Sequence, residues 1–188
     1  MITTLNNTGL ITKTVPDELF NDLKRQVALD TLKPMISGVS DNNVANHYYL
    51  ENPDPLKQFV LNIAIEYINA FSPAIEYKIR SNHEGGVSPT KLYALEPWCN
   101  KQLKNQWIPC HSHCGLIAYS LWVNIPEDNM FEFIYTTITG DTMKHFVPVT
   151  KQSEGTIMLF PSKLMHTVYP FYNSEETRIA ISGNITLR

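Results

Sequence analysis

The chain has 188 residues, of which 43% are hydrophobic and 18% are charged, a composition that fits one globular domain and excludes an intrinsically disordered chain. The formal net charge is −3, and Lys and Arg are scattered without a basic block, which excludes a nucleic-acid footprint. No apolar run reaches the ~18 residues of a membrane span, and the N-terminus lacks the features of a signal peptide. With three cysteines, too few for a disulfide framework, the sequence predicts a cytoplasmic protein.

Helical and β-type patterns occupy different parts of the chain. Helical periodicity is confined to residues 1–75, whereas β-branched and aromatic runs separated by turns dominate from about residue 75 to 188. No internal repeat or linker divides the chain. We therefore expect a single α+β domain over residues 1–188, mainly β, in which helices support a sandwich, jelly roll or barrel.

The first predicted helix follows Thr14. This residue is an N-cap candidate, and Pro16 would lie in the first turn. We expect this helix to end near Leu29. A stretch rich in Ser, Asp and Asn at 37–46 predicts a loop.

The second predicted helix carries stronger signals. Asp54 is the expected cap, Pro55 stands at the first helical position, and apolar residues recur at i, i+3 and i+4 spacing until Ser72 and Pro73. The apolar stripe predicts a face that packs on a core.

Eight strands are then expected, at residues 75–79, 91–95, 117–125, 131–139, 145–149, 156–160, 165–169 and 177–186.

Two histidines stand at alternate positions just before the strand predicted at 117–125. In extended backbone, residues i and i+2 share a face, so His111 and His113 can reach one point in space. This is suitable metal-ligand geometry, but a site needs a third ligand. His166, which begins a predicted strand after a Pro-Ser turn, is the candidate. Cys110 and Cys114 flank the two histidines, but no second cysteine pair completes a structural zinc site.

A cation opens the last predicted strand. Alternation places Arg178 and Ser182 on one face of this strand, and Ile179 and Ile181 on the other. If the isoleucines pack on the helices, the guanidinium faces the interior of the β-structure, close to His166. A bidentate carboxylate of a ligand would suit such an arginine.

These motifs together resemble the non-haem iron(II), 2-oxoglutarate-dependent oxygenases, in particular the 2OG-Fe(II) oxygenases found in bacterial and phage genomes. The resemblance is carried by the H-x-H at 111–113, the G-x5-P-S-x3-H-x-V-x-P segment at 155–170 and the R-x-x-x-S-x-N strand at 178–184. It covers about residues 97–186. The helical first part would then be the packing partner of the resembling part.

The resemblance implies a double-stranded β-helix, a cupin-like jelly roll, that acts as an Fe(II)- and 2-oxoglutarate-dependent dioxygenase. Such enzymes couple hydroxylation of a C–H bond to oxidative decarboxylation of 2-oxoglutarate to succinate. By the family pattern, His111 is the first iron ligand, His166 the distal ligand, and Arg178 the clamp on the far carboxylate of 2-oxoglutarate. Ser182 would assist Arg178. The other reactants are O2 and a substrate that the sequence does not identify.

His113 departs from the family pattern, because most of the superfamily has Asp or Glu at this position. A neutral ligand leaves the iron one charge more positive, and an imidazole leaves no vacancy for chloride, which disfavours halogenation. Three-histidine iron sites exist in other dioxygenases, so His113 is still a candidate metal ligand. Ala180 is a second departure, since an R-x-S pattern would place a hydroxyl there.

Two other interpretations stay open at this point. One is a cupin-like three-histidine metal protein that does not use 2-oxoglutarate, although the Glu expected shortly after the H-x-H is missing. The other is a catalytically silent jelly roll that serves as a binding module. Arg178 favours the oxygenase over the first alternative, whereas His113 is the argument for the second. The sequence leaves the oligomeric state open.

Overall fold

Two antiparallel sheets and two helices make up the described part of the chain, residues 9–35, 46–71, 91–137 and 139–187 of a computed structural model. The helices are α1 (Asp17–Val27) and α2 (Asp54–Ala70). The strands in chain order are β1 (Ile11–Thr14), β2 (Asn46–Tyr49), β3 (Leu92–Ala94), β4 (Trp98–Gln102), β5 (Ile108–His111), β6 (Ile117–Asn124), β7 (Asn129–Thr136), β8 (Thr142–Val149), β9 (Thr156–Pro161), β10 (Met165–Val168) and β11 (Arg178–Leu187).

The start of α1 differs from the prediction. Thr14 is the last residue of β1 and pairs with Thr156 in β9, so Pro16 rather than Thr14 precedes the helix as its N-cap. Strand pairing with a distant segment has overridden a local capping signal. The helix ends at Val27, two residues before the predicted end.

The second helix follows its predicted apolar stripe closely. Pro53 rather than Asp54 is the N-cap, and Pro55 occupies the first turn as expected. The buried residues of α2 share one face: Leu56, Val60, Ile63, Ala64 and Tyr67. The predicted stop at Ser72-Pro73, the strand at 75–79 and residues 37–45 of the predicted loop lie outside the described residues, and Asn46 begins β2.

The remaining seven predicted strands are present as β3 and β6 to β11, with bounds shifted by at most three residues. Four strands were not predicted: β1, β2, β4 and β5. Pro109 lies inside β5. Proline is tolerated there because β5 is the edge strand of its sheet.

The larger sheet has the strand order β1-β9-β6-β11-β4-β2, with β3 pairing beside the far end of β11. The smaller sheet has the order β5-β10-β7-β8. β1 and β2 come from the first 75 residues, so this part of the chain supplies strands as well as helices. Both sheets are antiparallel throughout.

Two hydrophobic cores lie on opposite faces of the larger sheet. On one face, α1 and α2 pack against side chains that include Tyr119 and Ile181. On the other face, Trp122 and Phe160 meet Phe131 and Phe133 of the smaller sheet. The fold is therefore the expected mainly β jelly roll supported by two helices, and the space between its sheets holds the site. No helix of the described residues is long and apolar enough to cross a membrane.

Candidate metal centre and its cavity

The three predicted histidines converge between the two sheets. His111 ends β5 and is the direct partner of His166 in β10, so these two side chains lie on the same face of the smaller sheet. His113 lies in the turn after β5, and its backbone N–H donates to the carbonyl of Ser162 at 2.7 Å. Gly115 closes this turn with a φ of +86°, where a Cβ would lie 2.8 Å from the carbonyl oxygen of Ile185. Glycine is therefore required at this point.

The Nε2 atoms of the three imidazoles face one another. His113 Nε2 lies 3.2 Å from His111 Nε2 and 3.1 Å from His166 Nε2. Metal–nitrogen bonds of ~2.1 Å would place neighbouring ligand nitrogens about 3.0 Å apart in octahedral geometry and about 3.4 Å apart in tetrahedral geometry. The observed separations fall between these values, so the three nitrogens are spaced to hold one metal ion.

The opposite ring nitrogens fix which atoms face the centre. Nδ1 of His111 lies 2.7 Å from the carbonyl of Pro109, and Nδ1 of His166 lies 2.9 Å from the carbonyl of Leu164. A carbonyl only accepts, so each Nδ1 carries the proton and each Nε2 presents a lone pair. Nδ1 of His113 donates in the same way to Oδ1 of Asn184 at 2.9 Å. The lone pair of His113 Nε2 thus faces two others across 3.2 Å and 3.1 Å, and such lone pairs repel one another unless a cation lies between them.

The surroundings keep the imidazoles of His113 and His166 neutral, which is the form that binds metal. Burial, together with the neighbouring His111, lowers the pKa of His113 to about 4 and that of His166 to about 3. Aromatic rings also restrict both side chains. His166 stacks on Phe131 at a centroid distance of 5.2 Å, and His113 stacks on Trp98 at 5.5 Å. The donor set therefore fits a divalent metal such as iron(II).

A cavity of about 250 Å³ extends from the three histidines along the inner face of the larger sheet. Arg178 lies in this cavity with 3% of its surface exposed, as the alternation along β11 predicts. Ile181, on the other face of β11, packs with the helices. The cavity thus contains both the three histidines and the predicted arginine.

Arg178 is held in place, but no salt bridge joins it to a carboxylate of the described residues, and the negative charge of Glu127 acts on it only from farther away. Its Nη1 donates to the carbonyl of Tyr169 at 3.0 Å and to Oε1 of Gln102 at 3.4 Å, and its guanidinium lies over Phe171 at 4.8 Å. Its Nε and Nη2 atoms are buried without a hydrogen-bond partner among the described residues. Burial lowers the pKa of this guanidinium to about 10, which leaves it charged at neutral pH. A buried cation with two free donors calls for an anionic ligand.

Ser182 also lines the cavity. It stands two residues after Ala180, on the same face of β11. Its Oγ accepts a hydrogen bond from Nδ2 of Asn100 at 2.9 Å, which leaves the hydroxyl proton free to donate. Asn100 Oδ1 in turn accepts from Nε1 of Trp98 at 3.1 Å. The wall beside Arg178 is therefore an ordered polar network.

The aromatic residues and cysteines near the motifs have different positions. Trp98, Trp122 and Tyr119 line the cavity, whereas Trp107 and Tyr135 are exposed and do not. Cys110 and Cys114 are exposed free thiols. Within the described ranges, the one group of side chains that could hold a metal ion consists of the three histidines and includes neither cysteine.

Sequence reasoning gave no role to Asn184, Gln102, Asn100 or His47. The first three make the hydrogen bonds described above, and His47 lines the cavity from β2. Asn184 shares strand parity with Arg178, which was the available signal for it. The other three lie on β2 and β4, two strands that were not predicted.

Comparison with known proteins agrees with this arrangement. Residues 96–184 match the family described as "Putative 2OG-Fe(II) oxygenase". This segment contains all three histidines, Arg178 and Ser182. No match was found among curated proteins.

Several solved structures share the fold at low sequence identity. The carbocyclase SnoK from nogalamycin biosynthesis, described as non-heme and alpha ketoglutarate dependent, has a TM-score of 0.60 and 11% identity over 96% of this chain and 79% of its own. HygX from Streptomyces hygroscopicus, solved with nickel, 2-oxoglutarate and hygromycin B, has a TM-score of 0.56 and 12% identity over 95% and 83%. A Pseudomonas putida prolyl-4-hydroxylase has a TM-score of 0.52 and 16% identity over 93% and 91%.

The sequence similarity and the fold similarity cover different lengths of the chain. The family match rests on the sequence of the second half of the chain, whereas the structural matches extend over more than nine-tenths of it. The resemblance predicted from the motifs is confirmed: this chain is similar to the 2OG-Fe(II) oxygenases, in the sequence of residues 96–184 and in the jelly-roll fold.

Proposed function

We propose that this protein is an Fe(II)/2-oxoglutarate-dependent dioxygenase of the hydroxylase type, in which C–H oxidation is coupled to decarboxylation of 2-oxoglutarate to succinate. The observation that carries the proposal is the presence, in one cavity, of three converging Nε2 atoms and a buried arginine with two unpaired donors. The family match and the fold support the same reaction class.

In this proposal His111, His113 and His166 hold the iron. When bound, the metal together with 2-oxoglutarate supplies the activation of O2 and the oxidation of the substrate C–H bond. The protein provides the three neutral nitrogen donors, and their Nδ1 hydrogen bonds keep the rings aimed at the metal. Phe131 and Phe160 pack around His166 and limit the access of water.

Charge balance favours a dianionic cosubstrate. Three neutral imidazoles leave both positive charges of iron(II) uncompensated, and Arg178 adds a third positive charge at the other end of the cavity. 2-Oxoglutarate carries a carboxylate at each end, so it can ligate the metal and pair with the guanidinium at once. The Ser182 hydroxyl can donate a second hydrogen bond to the carboxylate near Arg178.

The same charges weigh against the two alternatives. A three-histidine metal protein that does not bind 2-oxoglutarate would leave Arg178 buried without an anion, which is costly. A silent binding module would have no use for three imidazoles whose lone pairs converge. The oxygenase accounts for both features.

Anaerobic titration of iron(II) and 2-oxoglutarate tests the proposal. We expect the weak visible charge-transfer band of the iron chelate in the wild type and its loss in His111→Ala. His145→Ala is the matched control, because His145 is an exposed histidine on β8 and its loss should leave the band unchanged. Iron binding without the band would contradict the proposal. So would a failure to form succinate when O2 is admitted.

A further inference from the structure

One wall of the cavity is not used by the metal or by the proposed cosubstrate. His47 in β2 is directly opposite Asn100 in β4, and Asn100 is directly opposite Ala180 in β11. Residues directly opposite in an antiparallel sheet point to the same face. The His47 side chain therefore faces the cavity, two strands away from β11 and about 10 Å to its side.

His47 brings an unsatisfied polar atom to this wall. Its Nε2 is enclosed, and none of the described residues offers it a hydrogen-bond partner. Leaving a buried ring nitrogen without a partner is unfavourable, so such an atom in a ligand cavity indicates contact with a ligand. The backbone around it is fixed, because the carbonyl of His47 accepts from the N–H of Met35 at 2.8 Å.

The rest of this wall is apolar and close to the metal centre. Trp98 lies between His47 and His113, at centroid distances of 6.4 Å and 5.5 Å respectively. Its indole N–H is already used by Asn100. Met35 lines the cavity beside His47. A group bound here would therefore meet an indole ring, a thioether and the unpartnered Nε2 atom of His47.

The distribution of charge restricts what can bind at this wall. Among the described residues that line the cavity, none is Asp or Glu, so a cationic amine would find no counter-charge. The buried guanidinium of Arg178 lies on β11, away from the β2 side, and is assigned above to 2-oxoglutarate. Arg178 is the one permanently cationic side chain among the described residues that line the cavity, so an anion at the β2 side would find no cationic side chain there.

Building on the proposed function, we propose that His47, Trp98 and Met35 form the substrate subsite, and that it takes an uncharged, largely apolar group bearing one amide or hydroxyl that hydrogen-bonds to His47 Nε2. The subsite lies to the side of the line between Arg178 and the histidines. Substrate and cosubstrate can therefore be bound together. A group that carries a free amine is excluded from this subsite, because none of the described lining residues is Asp or Glu.

Benzamide and benzylamine are suitable probes, since they have similar shape but differ in charge. Binding to protein loaded with Ni(II) and 2-oxoglutarate is measured by ligand-observed NMR. We expect benzamide to bind at least tenfold more tightly than the benzylammonium cation. His47→Phe should weaken benzamide binding about five- to tenfold, the range of one hydrogen bond, whereas His47→Gln should retain most of it. His145→Phe, the same change at an exposed site, should have no effect.

The chelate band formed with Fe(II) and 2-oxoglutarate distinguishes a failure of the proposed subsite from a failure of the proposed function. If the band is intact in the wild type and in His47→Phe, equal benzamide affinities for the two proteins would overturn the subsite and leave the proposed function standing. Benzylammonium binding as tight as benzamide would overturn it too. If the wild type shows no band, both proposals fail. Should His47→Phe fail to fold, a benzamide affinity of His47→Gln at least tenfold below the wild type would overturn the subsite.

Discussion

The Nδ1–H of His113 donates to the side-chain Oδ1 of Asn184 across 2.9 Å, whereas the other two imidazoles are oriented by backbone carbonyls. His113 is thus the one member of the triad whose hydrogen-bonded orientation depends on another side chain. It also stands at the position where the family pattern has a carboxylate. The amide of Asn184 is buried, and its Nδ2 lies 3.5 Å from Cys114 Sγ. The orientation of the His113 ring therefore depends on one residue of β11.

Replacing Asn184 should weaken metal binding. Asn184→Leu has similar volume but no acceptor, so His113 would lose its fixed tautomer, and we expect the affinity for Fe(II) or Ni(II) to fall about 10- to 100-fold. Asn184→Asp keeps an acceptor in place and should bind metal at least as well as the wild type. Competition with a chelator measures both affinities. An unchanged affinity in a folded Asn184→Leu variant would show that the hydrogen bond is not needed.

The three histidines should differ in their response to substitution. His111→Ala and His166→Ala should abolish iron binding, because two remaining imidazoles hold the metal too weakly. His113→Asp should retain iron, because it restores the two-histidine, one-carboxylate ligand set, and its activity could exceed that of the wild type. Metal content after anaerobic reconstitution measures this, with His145→Ala as the control. Loss of metal in His113→Asp would count against the analogy with the two-histidine, one-carboxylate oxygenases.

Arg178→Met should separate cosubstrate binding from metal binding. The thioether fills the space beside Phe171 but cannot pair with a carboxylate. We expect 2-oxoglutarate binding to weaken by about 2–5 kcal/mol, the range for breaking a buried hydrogen-bonded charge pair, with metal affinity nearly unchanged. Calorimetric titration of 2-oxoglutarate into Ni(II)-loaded protein measures the first quantity. An equal loss of both affinities would indicate misfolding, and no loss of either would favour the cupin-like alternative.

The metal-free protein should become less stable in mild acid. Burial lowers the pKa values of His113 and His166 to about 4 and about 3, below the ordinary histidine value of about 6.5. At a pH between the lowered pKa values and about 6.5, the two histidines bind protons in the unfolded chain but not in the folded chain. The free energy of unfolding therefore falls as the pH drops below about 6.5. We expect a loss on the order of 3 kcal/mol between pH 7 and pH 5.

Urea unfolding of the metal-free protein at several pH values measures this loss. His166→Phe removes one of the two groups and should make the dependence on pH markedly weaker, whereas His145→Phe should preserve it. Equal free energies of unfolding at pH 7 and pH 5 in the wild type would contradict the neutral, buried state of the two imidazoles.

The parts of the fold that follow local patterns could be predicted from the sequence. The stripe of α2 and the alternation of β11 appear in consecutive residues, and both are present with nearly the expected bounds. β4 was missed because its cavity face carries Trp98, Asn100 and Gln102, so polar residues stand where a strand usually shows apolar ones. Because these residues line the cavity, β4 lacks the apolar alternation by which a strand is recognised in a sequence.

Some residues of the candidate site could likewise be predicted from local patterns, and others could not. His111, His113 and His166 could be proposed because two of them share a short motif and the third lies in a recognisable segment. Asn184 and His47 could not be given roles from local spacing. Their roles depend on which strands lie side by side and on which atoms are left without partners, and both follow from pairing between distant segments.

Arg178 and Asn184 stand six residues apart on one uninterrupted strand, β11, whose pairing with β4 is regular over residues 178–182. We assign Arg178 to cosubstrate binding and Asn184 to the orientation of His113. The strand therefore holds the Cα atoms of these two residues at a fixed distance of about 20 Å. One residue inserted between them would turn either Arg178 or Asn184 toward the helices. Two inserted residues would return both side chains to the cavity face but would change the distance between them by about 7 Å. This segment can accept substitutions at Ile179 or Ile181 that keep the core filled, but it cannot change its length without uncoupling the metal from its cosubstrate.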